Sequence, residues 1–281
     1  MRFRLGCELD YEVEEGEASF LFHVEPQERD GQAVLEQHLA FTPPLEAERF
    51  VEPDTGNRLL RVRAGPGPLK LRHEALVQAA PAVLDPGAVR EVPADHLPMA
   101  LLPHLLPSRY VESDRLAGFA EKTFGALPPG HARVTALCDW VRDHLDYVRG
   151  SSDEETTACD TLVQREGVCR DYAHLAIGLC RGLGIPARFV SAYAWQLDPP
   201  DFHAVMEAWL EGPQGGAWFL FDPTRMAPPD GLVRIGVAAD AAGVAFCTPR
   251  GKVSCGKPRV WIDAVEAGAA GAPAEAAVSL S

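Results

Sequence analysis

Apolar residues occupy every second position at the start of the chain: Phe3, Leu5, Cys7, Leu9, Tyr11 and Val13. Arg2, Arg4, Glu8, Asp10 and Glu12 fall between them. A period of two predicts a strand with one buried face. Similar runs recur at Ala18-Phe20-Phe22-Val24, around Leu35-Leu39-Phe41, and at Arg58-Leu59-Leu60-Arg61-Val62-Arg63. Turn residues separate them at Glu15-Gly16, Asp30-Gly31, Thr42-Pro43-Pro44, Thr55-Gly56-Asn57 and Gly65-Pro66-Gly67-Pro68. Residues 1–77 therefore read as a small antiparallel β-sandwich-like domain.

The pattern changes over residues 78–107, where Pro81, Pro86, Pro93, Pro98, Pro103 and Pro107 point to a linker lying on the surface. Helical spacing follows. Ser113 is placed to cap a helix ending near Phe124, with Leu116, Phe119, Ala120 and Phe124 on one stripe. A second helix is expected from about Ala132 to Leu145, with Trp140 in its core face. The most apolar helix is expected from Cys169 to Leu183, stopped by Gly184 and Pro186 and buried on several sides. Three strands come next, over 187–195, 203–210 and 217–222, the last two joined by Glu211-Gly212-Pro213-Gln214-Gly215-Gly216. These elements place one domain over 108–263. The Ala/Gly/Pro/Glu run over 264–281 has no period and is expected to be disordered.

Composition adds exclusions. The net charge of −14 argues against a nucleic-acid partner. No apolar run approaches the ~20 residues that span a bilayer, and the alternating N-terminus lacks a signal-peptide core. A cytoplasmic location without membrane association is the resulting expectation. Seven scattered cysteines do not form a disulfide framework, and no Cys-x-x-Cys or His-Glu-x-x-His spacing suggests a metal. No metal or cofactor is expected.

The candidate chemistry lies between Cys169 and Asp222. A helix N-terminus offers unpaired N–H groups and about half a positive charge, which favours a thiolate at Cys169. His203 and Asp222 sit on facing strands of one hairpin, at positions that a connection closed after Leu210 makes near cross-strand neighbours. A thiol, an imidazole and a carboxylate in reach of one another are the parts of an activated nucleophile. Asp201 competes with Asp222 as the orienting carboxylate, but sits only two residues before the histidine. Gln164 is a candidate donor to an oxyanion. Trp195, with Trp209 and Trp218, either lines an acyl-binding cleft or packs within the sheet. Cys180 and Cys138 read as buried hydrophobes, Asp171 as a carboxylate on the helix dipole, and Glu207 as a structural hydrogen-bonding group.

Five blocks, Thr156-Thr157-Ala158-x-Asp160-Thr161-Leu162, Gly167-Val168-Cys169-Arg170-Asp171, Gly184-Ile185-Pro186-Ala187-Arg188, His203-Ala204 and Asp222-Pro223-Thr224, resemble the transglutaminase-like superfamily. The resemblance spans about Ser108 to Cys247 and is nearest to bacterial members described as cysteine proteases. It implies an α+β fold: a papain-like transglutaminase core, its nucleophile-bearing helix packed on an antiparallel sheet, behind a small N-terminal antiparallel β domain. It also implies a Cys169-His203-Asp222 triad acting through a thioester on a peptide or glutamine carboxamide. The partners would be a protein or peptide substrate and, for transfer, a primary amine. The family's usual His-Ala-Trp reads His203-Ala204-Val205 here, leaving the wall beside the imidazole less aromatic. A catalytically silent peptide-binding module is the alternative. An acetyl-coenzyme-A-dependent arylamine N-acetyltransferase is a more distant one, since its Arg-Gly-Gly-x-Cys approach is replaced by Arg165-Glu166-Gly167-Val168-Cys169.

Overall fold

The computed structural model describes residues 1–265, 272 and 276–280. Its first sheet is built from β1 (Arg2–Phe22), β2 (Gln32–Thr42), β3 (Glu48–Val51), β4 (Arg58–Ala64) and β5 (Gly67–Ala79), in the order β2-β5-β1-β4-β3. The chain continues through β6 (Ala82–Leu84), α1 (Ser113–Phe124), α2 (His131–His144), β7 (Asp146–Tyr147), α3 (Ala158–Gln164), β8 (Glu166–Gly167) and α4 (Cys169–Gly182). It ends with β9 (Ala187–Ala194), β10 (Phe202–Gly212), β11 (Gly215–Phe221), β12 (Leu232–Ala238), β13 (Cys247–Cys255), β14 (Arg259–Ala264) and β15 (Ala277–Ser279).

The opening alternation runs straight through the expected turn at Glu15-Gly16. Gly16 takes φ 68°, and the pairing with β13 shifts register twice between Val13 and Ser19, so the chain bulges instead of reversing. The bulge lets one strand serve two sets of neighbours. Its first half pairs with β5 and β14, and its second half with β4 and β13. Tyr11, Phe20 and Phe22 meet inside the bend with ring centroids 5.2–5.8 Å apart. The Gly65–Pro68 turn is shorter than expected, because β5 starts at Gly67 and buries Leu69, Leu71, His73, Ala75 and Val77 on alternate positions.

Three boundaries move. Residues 247–263, expected to close the second domain, return with Ala264 as β13 and β14 to the first sheet. The first sheet is therefore made from residues 2–79 together with residues 247–264. Within 78–107, Ala82–Leu84 is a strand of the second sheet and Arg90 bridges Glu211, so the segment is more than a linker. The tail expected to be disordered contains β15, which pairs with β11 and β6 and buries Val278 and Leu280. Residues 266–271, 273–275 and 281 of that tail lie outside the described residues. Three-residue strands are too short to show a period, which is why β6 and β15 escape a reading by pattern.

The second sheet is antiparallel in the order β12-β9-β10-β11-β15-β6. One face carries α4, which is buried along most of its length. Close packing against α1 depends on two positions without side chains. A Cβ at Gly178 would come 2.5 Å from Leu116, and one at Gly182 would come 2.9 Å from the Ala117 backbone. On the opposite face Tyr193, Val233 and Ile235 join the core of the first sheet. The helix α1 starts at Ser113, with Glu112 in the capping position, one residue earlier than expected. Among the described residues, no helix is long and apolar enough to cross a membrane.

Candidate functional site

The start of α4 is fixed from both sides. Glu166–Gly167 pairs in parallel with Asp146–Tyr147, through Asp146 N–H to the Arg165 carbonyl (2.8 Å) and Val148 N–H to the Gly167 carbonyl (3.0 Å). Asp171, fully buried in the first turn, accepts from Val168 N–H at 2.8 Å and from the Ser152 hydroxyl at 2.6 Å. Its other oxygen accepts from the Arg170 guanidinium at 2.9–3.1 Å. This is the backward-reaching half of a capping box, with no matching side chain at Val168. Gly167 must lack a side chain, since a Cβ there would lie 2.7 Å from that of Asp171. Cys169 follows as the first helical residue, half-buried, with its N–H in the turn where helical N–H groups have no internal acceptor.

His203 and Asp222 come from β10 and the end of β11. The hairpin turns on Pro213-Gln214 alone, tighter than expected, but it keeps the expected pairing of Leu210 with Ala217. That register puts His203 and Asp222 diagonally across the ladder on one face. His203 Nε2 lies 2.9 Å from Asp222 Oδ2, with both side chains nearly water-free. An ionised carboxylate only accepts, so Nε2–H donates and Nδ1 is left for the sulfur. Asp222 Oδ1 also accepts from Thr224 N–H (2.9 Å) and Oγ1 (2.7 Å), and Oδ2 from Met226 N–H (3.2 Å) and Ala227 N–H (3.1 Å). Burial works against charge on both groups. The mutual attraction and hydrogen bond outweigh it, holding Asp222 below the ordinary carboxylate range and raising His203 to about 10. The Cys169 thiol is a further hydrogen-bonding neighbour of the same ring.

Among the described residues, Cys169 and His203 line a larger and a smaller cavity. The larger, about 700 Å³, is floored by Phe189, Ser191 and Ala204 and flanked by the stacked rings of Phe202 and Phe246, centroids 4.9 Å apart. The smaller, about 180 Å³, is walled by Tyr147, Arg149, Leu197, Pro199 and Met226. Aromatic character beside the imidazole thus comes from Phe202 and Phe246, while Val205 is buried in the sheet core.

The remaining candidates fall elsewhere. Gln164 is exposed at the end of α3 and absent from the walls of both cavities, because Arg165 turns the chain at φ 63° immediately after it. Trp195 packs on Phe3 at 6.0 Å, between the sheets, away from the cleft. Trp218 lies under the Arg188 guanidinium at 4.1 Å. Asp201 lines both cavities but accepts from its neighbour Phe202 N–H at 2.9 Å. Glu207 is held by Arg188 at 2.6 Å and by Arg234. Burial pushes the Cys138 and Cys180 thiols up, as expected of inert core cysteines. Tyr147 is the site residue that pattern reading missed. Its place depends on a two-residue pairing across about twenty positions, which leaves no local signature. Among the described residues, no cluster of His, Cys, Asp and Glu could hold a metal ion.

Residues 117–223 match the family model of the transglutaminase-like superfamily, and residues 1–99 that of the bacterial transglutaminase N-terminal domain. A solved structure from Cytophaga hutchinsonii, described as a putative cysteine protease, is 35% identical and superposes with a TM-score of 0.93, over 99% of this chain and 97% of that one. An uncharacterized protein of Mycobacterium leprae is 32% identical over 147 residues, which is 50% of this chain and 52% of that protein. An uncharacterized protein of Mycobacterium tuberculosis is 35% identical over 123 residues, 40% of this chain and 39% of its own. The chain spans about half, or less, of the length of these curated mycobacterial relatives.

Proposed function

The chain belongs to the transglutaminase-like superfamily, and on that basis we propose that it is a cysteine-dependent acyl enzyme acting on a peptide or glutamine carboxamide. The observation that carries this reading is the buried His203–Asp222 pair at 2.9 Å, set beside the sulfur of Cys169 at a helix start.

In this mechanism His203, its pKa raised to about 10, already carries the proton on Nδ1 as the sulfur of Cys169 attacks the carbonyl carbon. It then delivers that proton to the departing ammonia or amine, leaving a thioester. Asp222 keeps Nε2 protonated, so Nδ1 is the atom that exchanges protons with the sulfur. Water resolves the thioester in hydrolysis, and a primary amine resolves it in transfer. The larger, apolar cleft has the volume of an ordinary ligand site and takes the acyl portion.

The test is covalent. Iodoacetamide at near-neutral pH should label Cys169 faster than the exposed Cys255, Cys169→Ala should remove that fast labelling, and Cys180→Ala should leave it intact. Equal labelling of the two variants would remove Cys169 from its role. Incubation with a glutamine-containing peptide library, with and without a primary amine, then separates hydrolysis from transfer by mass. Tight peptide binding with no adduct under any condition would leave a binding module instead.

A further inference from the structure

We infer that Asp201 makes this cleft selective for a peptide with a lysine or arginine beside the reacting carboxamide, an assignment that rests on Cys169 being the nucleophile. Cys169, Asp201, Phe202 and His203 line both the larger and the smaller cavity, and Asp201 is the carboxylate among them. It therefore stands at the junction where the sulfur meets an acyl group. One of its oxygens accepts from Phe202 N–H at 2.9 Å. Among the described residues no lysine, arginine or histidine pairs with it, so the other oxygen is open to a cation that arrives with the substrate.

The carboxylate is aimed by its own segment. Pro199 and Pro200 precede it, and each ring fixes φ. Strand β10 starts at the next residue, so strand alternation carries the side chain at 201 to the side that holds His203. The neighbouring charges leave it unopposed toward the larger cavity. Arg170 lines that cavity, but its guanidinium is held by Asp171 at 2.9–3.1 Å and by the Asp153 carbonyl. The charge on His203 is answered by Asp222 at 2.9 Å. Glu154, exposed on the rim of the larger cavity, adds a second acidic group, while Arg149 lines the smaller one. The net charge of −14 draws cations toward the whole molecule.

A lysine or arginine suits both halves of these surroundings. Its methylene stem can lie along the stacked rings of Phe202 and Phe246 while its charged head reaches Asp201. A glutamate in the same place would meet Asp201 and Glu154, so repulsion adds to the discrimination. Asp201 binds in this role and exchanges no proton.

Three matched reagents test it: the chloromethyl ketones of acetyl-Lys-Gly, acetyl-Gln-Gly and acetyl-Glu-Gly. In each, the sulfur of Cys169 bonds to the methylene carbon and chloride leaves, so the reagents differ in the charge of one neighbouring side chain. The wild type should react with the lysine reagent about tenfold faster than with the glutamate one, and added salt should narrow that gap. Asp201→Asn keeps an acceptor for Phe202 N–H and should bring the two rates to within about twofold of each other. Asp201→Ser, with a hydroxyl in the acceptor's place, should do the same, and iodoacetamide labelling of Cys169 reports an intact fold in both. A wild type that shows no lysine preference overturns the inference, as does a preference that survives both substitutions. Equal slowing of all three reagents and of iodoacetamide overturns it too, by making Asp201 a group that tunes the thiol. Fast labelling that persists in Cys169→Ala would instead sink the nucleophile assignment, and this inference with it.

Discussion

His203 and Asp222 are both shut off from water, and neither would keep its charge there alone. Asp222→Asn removes the countercharge and leaves burial in place. The His203 pKa, about 10 in the wild type, should then drop below the ordinary histidine value, as ring proton resonances followed by NMR would register. With the tautomer no longer enforced, acylation of Cys169 should slow by about 10²–10⁴-fold, by the logic of oriented-base triads. The pair also ties stability to pH. His203 is raised in the folded state, so its contribution is complete below about 6.5 and is lost as pH rises through about 10. Asp222 is lowered, so its contribution is present above the ordinary carboxylate value of 3.8 and is lost on acidification. Urea midpoints should therefore fall on both sides of that window in the wild type and flatten at its alkaline edge in Asp222→Asn. The three residues were legible because thiol, ring and carboxylate stand out by type and by their elements. Gln164 misled because a loop-adjacent amide carries no direction in sequence, whereas Tyr147 carried direction only in space.

At the scale of elements, the start of α4 depends on Asp171. Its carboxylate joins Val168 N–H, Ser152 and Arg170 with no water contact. Asp171→Ala should cost about 1–3 kcal/mol, because buried donors lose their acceptor, and should slow iodoacetamide labelling of Cys169 as the first turn frays. A labelling rate and urea midpoint both equal to wild type would contradict that coupling. Helix α4 itself was readable from its apolar residues and its Gly184-Pro186 stop. The β10–β11 register was readable too, because the six-residue connection and the two-residue turn share the Leu210–Ala217 pair. The helix α3 was not anticipated. It spans only Ala158–Gln164, is set by the reciprocal Thr157–Asp160 capping box, and buries Ala158 and Thr161 without a period long enough to detect.

For the whole molecule, the second sheet is closed by residues far apart in the chain. Val278 and Leu280 are 1% and 2% exposed, and β15 stands between β11 and β6. Deleting residues 276–281 should lower unfolding stability by about 3 kcal/mol or more, since each such side chain contributes about 1.5–3 kcal/mol on burial. A urea midpoint unchanged by the deletion would return the tail to the disordered role its composition suggested. The first sheet likewise waits for β13 and β14, and the chain between β12 and β13 brings Phe246 to the cleft on the way. Local period, turn chemistry and residue type were enough to determine the opening strand, the main helices, the hairpin and the cysteine–histidine–aspartate set, because each is written within one or two neighbouring elements. Strand partners separated by some two hundred residues, the pinning of Tyr147 beside Cys169 and the walls of the cleft were decided only in three dimensions, since such pairings gain their free energy from burial between segments that carry no mark of one another.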